Sequence, residues 1–213
     1  MSDLIKLTGL RDLISMYYPI GLESSDPKFD EFEGTIKLKE LIRSNDALKK
    51  ERWSLIIKTI AEAFPKPIEV RETRQPFDVS YSLVITIHKE IVGKFVYEQR
   101  LYCRLSFLGD YFCIYGLDYI QIDQEGKKMQ FDPVITISPI NNYEYYFKRT
   151  REIMEKHFPT YKFLSYFYLR YQIDKLKITP NLIKGSQYSN VFQALFTLKN
   201  VTDYIRYGDM EYR

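Results

Sequence analysis

Cysteine and histidine are scarce in this chain, with two of each among 213 residues, at Cys103, Cys113, His88 and His157. A scaffold built on disulfides needs more thiols than that. A zinc-type centre needs His and Cys ligands at close spacing, which these scattered positions do not offer. Glycine is sparse too, at nine residues, and no stretch reads G-x-x-x-x-G-K-[ST], G-x-G-x-x-G or G-x-S-x-G. Neither a phosphate-cradling loop nor a hydrolase nucleophile elbow is signalled. No cofactor and no metal is expected.

Long apolar runs are also missing. None, the stretch around Leu83 to Ile87 included, comes near the roughly 18 residues that a membrane-spanning helix needs. The opening residues, Met-Ser-Asp-Leu-Ile-Lys, put an acid where a secretory leader carries basic residues ahead of an apolar stretch. The expectation is a soluble, cytoplasmic protein with no membrane partner. Charge of either sign is modest in excess. Lys and Arg number 31 against 28 Asp and Glu, for a net +3 and a pI near 8.6. A nucleic-acid footprint is usually marked by a domain-level pI above about 9. Residues 127–184 nevertheless hold eleven basic and five acidic side chains. A nucleic-acid-binding module using this basic region is therefore an alternative reading.

What the chain does have is apolar and aromatic bulk. Hydrophobic residues make up 45% and charged ones 28%, a balance that excludes disorder. A chain of 25.5 kDa buries about 70% of its unfolded surface, enough for a core without staples. Leu7, Leu10, Leu13, Ile14 and Tyr17 fall at helical spacing ahead of Pro19. Asp26-Pro27 reads as a cap and first turn for a second helix carrying Phe29, Phe32, Ile36 and Leu41, with Gly34 in its middle. Asn45 or Asp46 can cap a third, whose stripe is Trp53, Ile56, Ile57, Ile60 and Phe64, before Pro65.

The period then changes to two. Val79, Tyr81, Leu83, Ile85 and Ile87 alternate with Ser80, Ser82, Val84, Thr86 and His88, and Leu101, Cys103, Leu105 and Phe107 alternate with Arg100, Tyr102, Arg104 and Ser106. Gly109-Asp110 supplies a turn into a strand over 111–122, and residues 124–127 a further turn before a strand over 133–138. A helix is predicted over 142–157, ending ahead of Pro159. Phe167, Leu169, Tyr171 and Ile173 alternate in a way that favours a strand over 163–173. A short helix over 189–198 and a short element over 201–207 complete the chain. The fold class expected is α+β in a single domain: helical over 1–64, a central antiparallel β-meander over 67–138, and a helix and mixed tail over 139–213.

A two-residue turn at Gly109-Asp110 would set Leu108 opposite Tyr111, Leu105 opposite Ile114 and Arg104 opposite Tyr115. Cys103 and Cys113 then lie on opposite faces, as two free thiols. Asp118 falls opposite Leu101, on an apolar face, where a carboxylate must be paired or hydrogen-bonded unless the strand has reached the sheet edge. The other face carries Arg100, Tyr102, Arg104, Tyr115 and Tyr119. Tyrosine is abundant, at 19 residues, and Tyr and Arg are anchor residues at protein interfaces. This outward Arg and Tyr face is the candidate partner-binding surface. The functional expectation is a non-enzymatic protein-binding domain, in one form a cytoplasmic immunity-type neutraliser of a toxin or other partner protein. A second alternative is an enzyme with an unadvertised acid–base pocket, drawn from Glu69, Glu72 and Asp78 or from Asp118 and Asp123.

Overall fold

In the computed structural model, which describes residues 2–44, 47–65, 68–73, 78–124, 127–131, 133–178, 188–197 and 205–213, Leu10 and Ile14 lie one turn apart on helix α1 (Ser2–Ser15) and are buried. Asp26 caps the next helix as its place before Pro27 predicts, its carboxylate accepting the Lys28 amide at 2.9 Å. That helix does not run through to Leu41. It forms α2 (Pro27–Glu31), the backbone turns extended at Phe32, and α3 (Glu33–Ser44) begins afresh. Close packing sets where α3 starts: a Cβ on Gly34 would overlap the Met16 carbonyl oxygen. Helix α4 (Ala47–Ala63) follows, with Trp53, Ile56, Ile60 and Phe64 buried as their spacing predicts. Its expected caps, Asn45 and Asp46, lie outside the described residues.

Eight strands form one sheet. They are β1 (Glu69–Glu72), β2 (Ser80–Val92), β3 (Phe95–Ser106), β4 (Tyr111–Gln124), β5 (Lys127–Gln130), β6 (Val134–Thr136), β7 (Lys162–Phe163) and β8 (Ile205–Tyr207). The order is β1-β2-β3-β4-β6-β8, with β5 and β7 paired to the two ends of β4. Strands β1 to β4 are the antiparallel meander, while β7 and β8 join in parallel. A 3₁₀ turn at Asn141–Tyr143 leads into α5 (Glu144–His157), and α6 (Tyr166–Leu169) and α7 (Val191–Leu195) complete the described helices. The fold is α+β, with helices ahead of a meander and further helices behind it.

Three local expectations are corrected. The strand predicted over 163–173 is two residues of β7 and then α6, because Tyr166, Tyr168 and Leu169 are all buried and a short helix turns all three inward. Strand β2 runs five residues past Ile87, through an irregularity between Thr86 and His88. The β3–β4 hairpin pairs Leu105 with Phe112 and Arg104 with Cys113, two residues away from the predicted register. Its connection is longer than two residues because the Ser106 hydroxyl takes up the Leu108 amide at 3.0 Å, while Gly109 holds the positive φ of 77°. A slip of two conserves the alternation, so every side chain stays on its predicted face. Both cysteines are accordingly free and buried.

The sheet is the middle of three layers. On one side α4 and α5 cover Tyr81, Leu83, Leu101, Cys103, Leu105 and Phe112. On the other, α1, α6 and α7 cover Cys113, Tyr115 and Leu117. Asn190 and Gln193 form a reciprocal cap at the start of α7. At its other end, carbonyls that a helix cannot satisfy internally are met by hydroxyls from outside. Tyr18 donates to Ala194 at 3.0 Å, Ser106 to Leu195 at 2.8 Å and Ser80 to Phe196 at 2.7 Å. The helix is thereby clamped onto the sheet.

Candidate functional site

Arg100, Tyr102, Arg104, Tyr115 and Tyr119 are brought together, but not on an open face. Arg104 is 5% exposed and Tyr115 3% exposed, because α1 and α7 pack over them. The expectation that these two face water is corrected. The Arg104 Nη1 lies 3.3 Å from the Asp78 carboxylate, and its Nε donates to the Tyr115 hydroxyl at 3.1 Å. Burial works against the guanidinium charge, yet Tyr115 and Asp78 more than offset it and raise its pKa. Tyr115 stacks on Tyr102 with centroids 5.3 Å apart, and the Tyr102 and Tyr119 hydroxyls lie 3.3 Å apart. Arg100 sits over Tyr119 at 4.6 Å and bonds Glu98 through Nε at 2.7 Å. Lys89 completes the chain, 3.0 Å from Glu98. The five residues thus run from the core out to a half-buried margin at Arg100, Tyr102 and Tyr119.

The acid–base candidates are dispersed. Glu69 and Glu72 stand exposed on β1, and Asp78 is engaged by Arg104. Asp118 faces Gln99 rather than Leu101, and is hydrogen-bonded as an inward carboxylate must be. It accepts from the Tyr143 hydroxyl at 2.7 Å and from Gln99 Nε2 at 3.2 Å, while Asn142 donates to the Gln99 side chain at 3.1 Å. This cluster fastens the start of α5 to the sheet. A Cβ on Gly116 would come within 2.5 Å of the Tyr143 ring, so the close approach requires glycine there. The side chain of Asp123 lies outside the described ones. Burial pushes both cysteine thiols up, which keeps them protonated and poor nucleophiles. Among the described residues no group of three or more His, Cys, Asp or Glu is placed to hold a metal ion, and no helix is long and apolar enough to cross a membrane. Along α5, in the basic stretch, Lys148 pairs with Glu144, Arg149 with Glu152 and Arg151 with Glu155.

A different surface is open. The 3₁₀ turn and α5 meet the sheet at the row of Gln99 and Asp118, but β2, β3 and β4 continue past it, joined by β5. The register aligns Val92, Phe95, Ile122 and Met129 in one row and Glu90, Tyr97 and Ile120 in the next. Cross-strand partners share a face. Phe131 follows, its amide donating to the Ile120 carbonyl at 3.1 Å. Val92 is 61% exposed, and Phe95 and Met129 are each 53% exposed. The reverse face of this ribbon carries the polar chain of Lys89, Glu98 and Arg100, with Ile91 exposed opposite Val96 nearer the turn. The irregularity at residue 87 makes the surface possible, since an extra residue in one strand moves every later side chain to the opposite face. Reading the alternation without that bulge ends the strand at Ile87 and misses the surface. The readable signal was Gly93-Lys94, a two-residue turn between Val92 and Phe95, with Gly93 at φ 59°.

Comparison with family models, with curated proteins and with solved structures finds no match.

Proposed function

We propose that this protein acts by binding another protein through the apolar face that β2 to β5 present beyond the reach of α5. The observation that carries the reading is the row of Val92, Phe95, Ile122 and Met129, aligned across four strands, in which Val92, Phe95 and Met129 are exposed and Ile122 is half-buried between them. Contiguous apolar patches are uncommon on soluble chains that work alone and mark interaction sites. Aromatic residues and Met are enriched at interface centres, where charged residues are depleted. The hydrogen-bonded ribbon is already ordered, so docking sacrifices little backbone freedom. The partner that fits is a protein with an apolar face of its own. In its most concrete form the protein is a cytoplasmic neutraliser that covers the working surface of a toxin or other enzyme.

The test uses Val92→Lys combined with Met129→Lys, with Leu55→Lys on the exposed side of α4 as control. The wild type and the control should co-purify one partner from the protein's own cell. The double variant should lose it at an unchanged thermal midpoint. For the neutraliser form, the purified partner's enzymatic activity should fall on adding one equivalent of wild type but not of the double variant. A partner retained by the double variant overturns the assignment of the surface. A chain that forms a dimer by itself, and a monomer in the double variant, assigns the face to self-association instead.

A further inference from the structure

At the opposite end of the sheet from the open ribbon, a cavity of about 400 Å³ lies between α2, α3 and the chain entering β2. Its walls are Tyr18, Phe29, Leu38, Ile42, Val79 and Ile178. The polar atoms in those walls are already satisfied. The Tyr18 hydroxyl donates to the Ala194 carbonyl at 3.0 Å and the Thr35 hydroxyl to the Tyr17 carbonyl at 3.2 Å. An apolar pocket whose wall hydroxyls are already engaged offers water few partners at its base and favours an apolar guest there. The volume lies within the 300–1,000 Å³ or so typical of small-ligand sites. At about 30 Å³ per heavy atom, the share of a liquid water, it accommodates about a dozen atoms.

The rim is charged and unevenly so. Lys39 and Arg43 stand one turn apart on α3, with Asp30 opposite. Lys39 and Asp30 neutralise each other at 2.8 Å. Arg43 is exposed and has no carboxylate partner among the described residues. Among the described residues the guest therefore meets an apolar interior and, at the mouth, the Arg43 guanidinium, a group that pairs with carboxylate through two parallel hydrogen bonds.

We propose that this cavity is a binding site for a small amphipathic carboxylic acid, with its hydrocarbon body among Phe29, Leu38 and Val79 and its carboxylate at Arg43. The site is independent of the protein-binding face and stands or falls separately from it. Its test is calorimetric titration of the full chain with octanoate, 1-octanol and octylammonium, three probes with the same tail and different heads. Octanoate should bind at least tenfold more tightly than the other two. Arg43→Glu, an exposed substitution that leaves the core intact, should remove that preference while leaving octanol unchanged. Leu38→Trp, which fills the cavity, should abolish binding of all three. Absence of octanoate binding overturns the site. Equal binding of the three probes, or octanoate affinity unaffected by Arg43→Glu, overturns the carboxylate assignment.

Discussion

Phe112 and Phe95 lie on the same face of the same sheet, one near the start of β4 and the other at the start of β3, and their surroundings differ completely. Phe112 is fully buried beneath the layer formed by α4 and α5. Phe95 stands more than half exposed on the ribbon that continues beyond that layer. Both positions satisfy the same alternation and have the same residue type. Alternation says which side of a strand a residue occupies, and only the reach of the covering helices says whether that side is wet. The Arg and Tyr face teaches this from the other direction, since its inner members Arg104 and Tyr115 are sealed by helices from both ends of the chain, while Arg100, Tyr102 and Tyr119 stay half-buried at its margin.

The sharpest break of this comparison is Arg104→Ala. It removes the guanidinium that faces the buried Asp78 carboxylate and should lower stability by about 3–5 kcal/mol in denaturant unfolding. Next comes the phenylalanine pair itself. Phe112→Ala should cost about 3–5 kcal/mol through transfer and cavity terms, whereas Phe95→Ala should stay within about 0.5 kcal/mol of wild type. Equal losses at the two positions would mean that the ribbon is covered in solution. Gly116→Ala forces the Tyr143 ring away from the sheet and should cost about 1–3 kcal/mol, measured by the same unfolding curves. A companion Tyr143→Ala should remove most of that increment.

The smallest effect belongs to the polar side of the ribbon. Burial opposes ionisation of Glu98, but Lys89 and Arg100 more than offset it and hold its carboxyl below the ordinary value of 4.5. A lowered folded-state pKa contributes stability that is complete above the unfolded value and fades as pH falls through the folded one. Between about pH 5 and pH 3 the wild type should therefore lose stability more steeply than Glu98→Gln. Parallel curves for the two proteins would remove Glu98 from the ribbon's support.

The sequence shows the helical stripe of α4, the Asp26 cap, the meander and the segregation of the two cysteines, because each follows from local spacing. Information that depends on distant segments was hidden. The partition of α2 from α3 turns on Gly34 meeting the end of α1. The hairpin register turns on a serine hydroxyl replacing a backbone bond. Of the five residues expected to form a binding face, their mutual proximity was legible from alternation, but the cover that α7 places over Arg104 and Tyr115 was not. The open ribbon was obscured by a single irregularity at residue 87, after which the pattern must be read with the opposite parity.

Helix α7 follows the meander late in the chain, and the hydroxyls of Tyr18, Ser80 and Ser106 that clamp it are all made earlier. During translation the strands leave the ribosome before the plug that seals them. In that interval the face awaiting α7 shows a guanidinium and phenols to water rather than an unbroken aliphatic surface. Groups that are costly to dehydrate in the finished protein thus lessen the tendency of the nascent chain to adhere to its neighbours, a hazard for any sheet that waits for its cover.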